Sequence, residues 1–528
     1  MCAKKKIRRK VYEELISLSS YENVYTKEAF DHLALLIDFS FDLQENEGLS
    51  KSLAFANELS ERQLNSTQKA LLFYYFGNAW GNIRILKAPK SSKEHWKWEQ
   101  EELENEIFYF RSSLMEPGFE NLPLEIRCMV LTNLANIIDT IGRFIDAIEL
   151  WDKALDINSE FGMALGNKGM GLQTYASAVY DPGHRNMLMK QSYVYLTKAL
   201  TQSANKLIHP SAKKSFTKIK NDMKKNYPSE FFDHECNLTD YSLGDSSEEQ
   251  TYRKWCLENR LFLNPLNDLG AYPISAQDII TTPNMVTPLD VGPRYQGYFN
   301  QIKQEFVSAR YLLYEGINSK EVHFSDKNVL LYNTLDYPVY SFAIERVKLA
   351  LRSAYSLFDK FAYFLNEYLE IGIPQREVNF RNIWYKDPKK RILRSQFENK
   401  KNLPLRALFW LSKDLFEDKP GFKDLVEHDA QNINKIRNHL EHKYLKVHEM
   451  ESYITANITK GLVDDLAFSV SKNEFISKAL RTMKLARSAL IYLSLAIQAE
   501  EIEREKQRDP KKIIMPIVQD TWDDDWKR

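Results

Sequence analysis

The sequence predicts an all-α protein made of two helical bodies. Glycine and proline are sparse, at 18 residues each, and long windows place apolar residues three or four positions apart, which is the period of a helix with one buried face. Prolines gather instead between residues 265 and 293, in the runs NPLNDLGAYP and TTPNMVTPLDVGP. Because these runs interrupt the period in a chain of 528 residues, too long for one ordinary core, we predict that they connect two bodies.

The composition predicts a cytoplasmic protein with no membrane partner. Lys+Arg and Asp+Glu are equal at 72 each, so any contact with a polyanion must come from a local patch. Residues 1–28 open on the basic run MCAKKKIRRK, but no apolar run follows it to make a secretion signal. No stretch reaches the roughly 18 unbroken apolar residues of a membrane span. The cysteines show neither disulfide nor zinc-site spacing: Cys2, Cys128, Cys236 and Cys256.

The N-terminal body, residues 29–225, contains a repeat-like unit. Its small and apolar positions are Leu131, Leu134, Ala135, Ile138, Gly142, Ala147, Trp151 and Ala154. Gly142 would turn the chain between two closely packed antiparallel helices. This pattern resembles the tetratricopeptide repeat, whose period is about 34 residues. One period later come Leu165 and Gly169, followed by the loop YDPGHRN and the helix SYVYLTKAL. We predict a tetratricopeptide-like helical solenoid, with an irregular helical bundle as the alternative.

The C-terminal body, residues 291–505, is predicted to be a helical bundle. Apolar stripes indicate helices at residues 294–315, 340–370, 403–416, about 422–449 and from 471 onward. Ser471 and Glu474 form a capping-box pattern at the start of the last helix. Residues 226–290 make the connector between the bodies. Residues 506–528 form an acidic and aromatic tail, for which disorder is the expectation.

Polar side chains lie on one face of the helix predicted near residues 422–449. At about 100° per residue, Asn438 and His442 point away from the buried stripe, and Arg437 lies at its edge. The stripe consists of Ile433, Ile436, Leu440, Tyr444 and Val447. Arg437 and His442 diverge by about 140°, so they cannot pair closely within one helix. Two copies around a twofold axis would bring both into one cleft, which predicts a homodimer or a higher even oligomer.

The run Arg437-Asn438-His439-Leu440-Glu441-His442 resembles the RNxxxH signature of the HEPN superfamily (higher eukaryotes and prokaryotes nucleotide-binding). That family carries the signature in a late helix of a helical bundle, and its members are typically ribonucleases. The whole chain, with repeats before such a bundle, looks like bacterial HEPN proteins of anti-phage defence. The resemblance implies a metal-independent endoribonuclease with an RNA substrate and no cofactor, in defence or in a toxin system.

The residue types of this signature suit RNA cleavage. Because a free imidazole exchanges protons near neutral pH, His442 could take the proton of a ribose 2′-hydroxyl or protonate the departing 5′-oxygen. Arg437 offers planar donors for the phosphorane, and Asn438 would orient the imidazole or the phosphate. The predicted products carry 2′,3′-cyclic phosphate and 5′-hydroxyl ends. His428, His439, His442 and His448 lack recognised metal-ligand spacing, so no metal is expected.

Tyr444 extends the pattern to Arg-x4-His-x-Tyr, which is similar to HEPN toxins whose tyrosine is adenylylated by a partner nucleotidyltransferase. The resemblance implies that antitoxin as a partner and Tyr444 as a modification site. Because Tyr444 also falls on the predicted buried stripe, packing in the core is the competing interpretation.

A basic run could bind the substrate. It consists of Lys389, Lys390, Arg391 and Arg394, interleaved with Trp384, Tyr385 and Phe397. Charge and ring stacking suit single-stranded RNA, although a solvated loop has the same composition.

Two other functions fit the sequence. The chain could be a non-catalytic scaffold whose repeats bind protein, or a sensor whose Arg437 and His442 hold a nucleotide without cutting it. In each case we expect the repeats to bind a protein or another trigger.

Overall fold

The computed structural model confirms the all-α fold class, with two short strand pairs added. It describes the chain except residues 1, 205–207, 234–236, 289, 399, 417–427, 460–463, 465, 510, 512–513 and 528. For residues 2–6, 229, 428–432, 434 and 456–459 the description covers the backbone alone.

The N-terminal body is a succession of helices in which each of the first nine packs on the next. They are α1 (Cys2–Ser17), α2 (Thr26–Leu43), α3 (Asn46–Ser60), α4 (Ser66–Lys87), α5 (Glu101–Met115), α6 (Leu124–Thr140), α7 (Phe144–Ile157), α8 (Gly162–Ala178), α9 (Pro182–Ala199) and α10 (Pro210–Asn226). This stacking is compatible with a solenoid, and the tetratricopeptide identity stays a prediction.

The turn predicted at Gly142 joins α6 to α7. Gly142 has φ +90°, a backbone angle that favours glycine. A Cβ there would also lie only 2.1 Å from the Leu403 carbonyl oxygen, so a larger residue would not fit. The prediction of an inserted loop at residues 180–186 is wrong. Pro182 occupies the first turn of α9, and the Asp181 carboxylate accepts a 2.8 Å hydrogen bond from the His184 amide. This cap starts the helix inside the expected loop.

The predicted connector, residues 226–290, packs onto the rest of the chain. It contains α11 (Ser229–Asp233) and α12 (Ser247–Glu258). Asp268 lies 2.6 Å from the Arg487 guanidinium and Asp278 lies 2.7 Å from that of Arg310, and both arginines are buried. One hydrophobic core is continuous across connector and bodies, from Ala70 to Ile497.

The C-terminal body contains helices close to those predicted. They are α13 (Arg294–Asn318), α14 (Phe342–Tyr368), α15 (Leu403–Phe416), α16 (His428–His442), α17 (Glu451–Thr459) and α18 (Lys472–Gln507). The Ser471 hydroxyl accepts a 3.4 Å hydrogen bond from the Glu474 amide and so caps α18 as predicted. A hairpin of β1 (Tyr385–Asp387) and β2 (Ile392–Leu393) lies between α14 and α15.

The helix predicted to reach residue 449 ends at His442. Residues 444–448 form β3 (Tyr444–His448), which pairs in parallel with β4 (Ala467–Ser471), with Tyr444 opposite Ala467 and His448 opposite Ser471. The chain crosses between these strands through α17, as parallel pairing requires. The prediction that the helix continues through residues 444–449 is wrong. The apolar residues at 444 and 447 fit a helical period, but pairing with a distant strand overrides such a local pattern.

Candidate functional site

Helix α16 buries the predicted apolar stripe. Ile433 and Ile436 are fully buried and Leu440 nearly so, and the helix packs on α14, α15 and α18. The last two predicted members of the stripe, Tyr444 and Val447, belong to β3 instead. The stripe therefore fixes which face of α16 points to solvent.

The signature residues lie where the helical geometry places them. Asn438 and His442 are exposed on the face opposite the stripe, and Arg437 is half-buried at its edge. One Arg437 Nη atom donates a 3.1 Å hydrogen bond to Asn438 Oδ1. The Arg437 guanidinium carbon lies 5.4 Å from the centroid of the buried Tyr355 ring, a cation–π distance. The Arg437 guanidinium thus packs on Tyr355 of α14, and its Nη atoms stay near the exposed side-chain amide of Asn438.

Arg352 of α14 is a neighbour that the sequence pattern missed. Its Nη2 atom donates to the Leu440 carbonyl oxygen in the last turn of α16, and its Nε lies 3.5 Å from Glu441 Oε1. Glu441 therefore has a partner other than Arg437, against the surface pair that the four-residue spacing suggests. A cation at a helix C-terminus is favourable, so Arg352 holds the end of α16 that carries His442.

The surroundings of the signature are basic. Lys435 and Lys443 are exposed, Arg437 and Arg352 are partly exposed, and Glu441 is the acid among them. Lys435 falls on the same face of α16 as Asn438 and His442, three and seven positions before them. This local excess of cations gives an overall neutral chain a patch that attracts polyanions.

Tyr444 lies at the surface, so the predicted packing in the core is wrong. Its side chain is 37% exposed, and its hydroxyl lies 2.8 Å from the hydroxyl of Tyr340. Partial burial, followed by the hydrogen bond with Tyr340, raises the pKa of Tyr444 to about 12. The phenol is therefore neutral at physiological pH and accessible two residues after His442. Its modification stays a prediction.

Buried charges fasten the segment before α14 to β3. Lys446 Nζ lies 2.5 Å from Asp336 Oδ2 and 2.7 Å from Asp464 Oδ2, and Lys446 and Asp336 are both buried. Burial opposes ionisation of Asp336, but its hydrogen bonds from Lys446 and Thr334 outweigh burial and lower its pKa. The Val339 amide also donates a 2.7 Å hydrogen bond to the Val447 carbonyl. Residues 336–340 are thereby fixed beside Tyr444.

The predicted substrate-binding run at the β1–β2 hairpin is only partly available. The predicted stacking of aromatic rings on bases is wrong here, because the rings are buried: Trp384, Tyr385 and Phe397. Arg391 Nη2 lies 3.4 Å from Glu99 Oε1 and 3.3 Å from Glu104 Oε1, and Arg394 donates to the Ile383 carbonyl at 3.1 Å. Lys389 and Lys390 are exposed. The hairpin arginines thus serve contacts with the protein itself.

The described histidine side chains near the signature do not form a metal site. Across the described side chains, no group of three or more His, Cys, Asp or Glu could hold an ion. The His439 ring packs at a tilt against Phe468, with 5.2 Å between ring centroids, and buried His448 lies 3.2 Å from the Ser469 hydroxyl. The His428 side chain lies outside the described ones. None of the described helices is long and apolar enough to cross a membrane.

Comparison with known proteins identifies the C-terminal body. Residues 286–500 match the family model described as LA2681-like HEPN. Neither the curated proteins nor the solved structures give a match. The matched range contains the bundle, both strand pairs and the signature on α16, and HEPN domains are typically ribonucleases. The C-terminal body of this chain is a HEPN domain.

Proposed function

We propose that this HEPN domain is a metal-independent endoribonuclease that acts in bacterial anti-phage defence or in a toxin system. The observation that carries the proposal is the exposed face of α16, where Asn438 holds the Arg437 fork at 3.1 Å and His442 is exposed one turn further on. Packing does not explain an amide and an imidazole on this face, whereas binding and cutting a phosphodiester does.

The reaction needs only groups of the protein and the RNA. The ribose 2′-oxygen attacks the adjacent phosphorus while His442 of one subunit takes the hydroxyl proton. The bond from phosphorus to the 5′-oxygen breaks, and the protonated imidazole of the second His442 gives that oxygen its proton. Arg437 neutralises the charge that builds on the phosphorane oxygens. The products carry a 2′,3′-cyclic phosphate and a 5′-hydroxyl.

A homodimer is part of this proposal, because one copy of the signature presents a single catalytic imidazole, that of His442. An apolar surface beside the signature supports it. We name residues 329–340 the apolar arm: Leu330 and Tyr332 are each 86% exposed there, and Tyr340 reaches the Tyr444 hydroxyl. Leu349 on α14 is also exposed. Contiguous exposed apolar groups of this kind mark an interaction surface, and a second copy is the occupant that completes the site.

Cleavage of total RNA in EDTA tests the proposal. Wild type should leave 2′,3′-cyclic phosphate ends, and His442→Ala should leave the RNA intact. His439→Ala is the matched control, because this histidine lies on the same helix but its ring packs against Phe468. Because toxins are held silent, the assay is run with the purified dimer and repeated in lysate of phage-infected cells. Intact RNA in both settings would overturn the proposal, and intact RNA without any binding of ATP at the signature would favour the scaffold.

The nucleotide sensor remains the second candidate, since the same Arg437 and His442 could hold phosphates without cutting them. Binding of ATP that His442→Ala abolishes, together with intact RNA in every condition, would favour the sensor over the nuclease.

A further inference from the structure

A cavity of about 420 Å³ opens between the two bodies, away from the signature. Its walls come from α5, α6 and α7 of the N-terminal body and from the first turns of α18 in the HEPN domain. Small-molecule sites span roughly 300–1,000 Å³. The volume therefore suits a ligand the size of a mononucleotide and is too small for a folded partner.

One wall of the cavity is strongly basic. It carries five cations against the carboxylates of Asp146 and Glu149. The cations are Arg111, Arg143, Lys153, Arg481 and Lys484. Asp414, which pairs with Arg111 at 2.9 Å and also with Arg143, brings the carboxylates to three. Among these residues, five cations thus face three carboxylates, and low-dielectric walls concentrate the positive field in the cavity.

The ion pairs on this wall leave its positive field in place. Lys484 lies 3.0 Å from Glu149, and Arg481 lies 3.8 Å from Asp146. Burial opposes ionisation of Glu149, yet Lys484, Arg481 and Lys153 together lower its pKa to about 2. A carboxylate surrounded by three cations leaves room for further negative charge, which a phosphate group supplies.

Apart from Ser477, the rest of the cavity lining is apolar. It consists of Leu114, Met115, Leu134, Ile138, Leu150 and Leu480. The flexible thioether of Met115, beside leucine side chains, suits contact with a flat aromatic group of a ligand. A ligand that fits both parts of the lining therefore carries several phosphates at one end and a ring system at the other.

The cavity is connected to the signature through α18. Ser477, Leu480, Arg481 and Lys484 lie in the first turns of α18, directly after β4. Strand β4 pairs with β3, which starts two residues after His442, and α18 also packs on α16. These contacts give a ligand that moves the start of α18 a continuous route to α16.

We propose that this cavity binds a nucleoside polyphosphate and that its occupancy regulates RNA cutting at His442. The regulatory half of this proposal rests on the proposed nuclease function, whereas the binding half does not.

Isothermal titration of the full-length protein with ATP, tripolyphosphate and adenosine tests the binding half. ATP should bind once per chain, at least ten-fold tighter than either fragment. The double variant Arg481→Ala with Lys484→Ala should weaken ATP binding at least ten-fold. Lys506→Ala, an exposed lysine near the far end of α18, is the matched control and should bind like wild type. ATP binding that is absent, equal to that of tripolyphosphate, or unchanged in the double variant overturns this half.

Two further variants separate the remaining outcomes. Glu149→Gln removes a negative charge from the basic wall, so ATP should bind more tightly, whereas mere damage to the wall would weaken binding. His442→Ala should bind ATP like wild type, and loss of binding there would place the nucleotide at the signature instead. RNA cutting that responds to ATP in wild type but not in the double variant supports regulation. Cutting that ignores ATP overturns regulation and leaves the proposed nuclease intact.

Discussion

At the scale of single residues, Arg437 and Asn438 act as a unit. The guanidinium is supported below by the Tyr355 ring at 5.4 Å and held at its edge by the Asn438 amide oxygen at 3.1 Å. A planar fork is needed for both contacts, because a point charge cannot stack and donate sideways at once. The shape of the group at position 437 therefore matters as well as its charge.

Arg437→Lys should cut RNA about 100-fold more slowly under single-turnover conditions, because the bidentate donors to the phosphorane are lost while the charge stays. Thermal unfolding should be close to that of wild type, since the position is half-exposed. Lys443→Arg, an exposed change next to the signature, serves as the control. Wild-type cutting by Arg437→Lys would show that charge alone suffices.

The pair of Lys446 and Asp336 should be the most costly to break near the site. Lys446→Met leaves a buried carboxylate without its ammonium, which we expect to destabilise the protein by about 3–5 kcal/mol in urea unfolding. Lys446→Met combined with Asp336→Leu should be less destabilised than the single variant, because no buried charge is stranded. Additive losses would contradict this account.

The pair of Lys446 and Asp336 also makes the stability of the fold depend on pH in the acid range. The folded pKa of Asp336 is lowered, so its contribution is present above the ordinary aspartate pKa of about 3.9 and is lost as pH falls below it. The midpoint of urea unfolding should fall between pH 5 and pH 3 in wild type. The decline should be shallower in the double variant Lys446→Met with Asp336→Leu, which lacks the carboxylate.

At the scale of elements, local patterns predicted the helices that pack by their own stripes. Helix α15 has the predicted bounds, and α14 differs by two residues at each end. Strands β3 and β4 were missed because their pairing joins segments that are distant in sequence, which no short window contains. The apolar arm was missed for a related reason. Its exposed Leu330 and Tyr332 look like core residues in a sequence.

The apolar arm should govern the oligomeric state. Leu330→Asp with Tyr332→Asp places two charges on the proposed contact between copies, so we expect a monomer in sedimentation velocity and loss of RNA cutting. Val518→Asp is a matched control, because Val518 is an 89% exposed valine of the tail. If the double variant stays dimeric, the contact between copies does not lie at the apolar arm.

At the scale of the whole molecule, the two predicted bodies do not have separate cores. Trp98 from the N-terminal body donates a 2.9 Å hydrogen bond to the Lys400 carbonyl and stacks on Phe397 at 5.4 Å. Asp414 accepts from both Arg111 and Arg143. The helices, their order and the signature face could be predicted from sequence. The junction could not, because its ion pairs join residues about 300 positions apart.

The junction should be a main source of stability. Asp414→Asn removes the charge that Arg111 and Arg143 share, and both Asp414 and Arg143 are buried. We expect a loss of about 3–5 kcal/mol in urea unfolding. Asp520→Asn in the exposed tail is the control. An unchanged midpoint would mean that the junction contributes little.

The aromatic cluster at this junction is also an intrinsic optical reporter. Trp98, Trp384 and Trp410 are buried, with the rings of Trp98 and Trp384 only 6.2 Å apart, whereas Trp522 and Trp526 are exposed in the tail. Selective excitation of indoles therefore yields a blue-shifted emission from the junction, to which buried Trp151 also contributes, over a red-shifted background from the tail. Loss of packing at the junction could therefore be followed in real time by fluorescence during unfolding, without any attached dye.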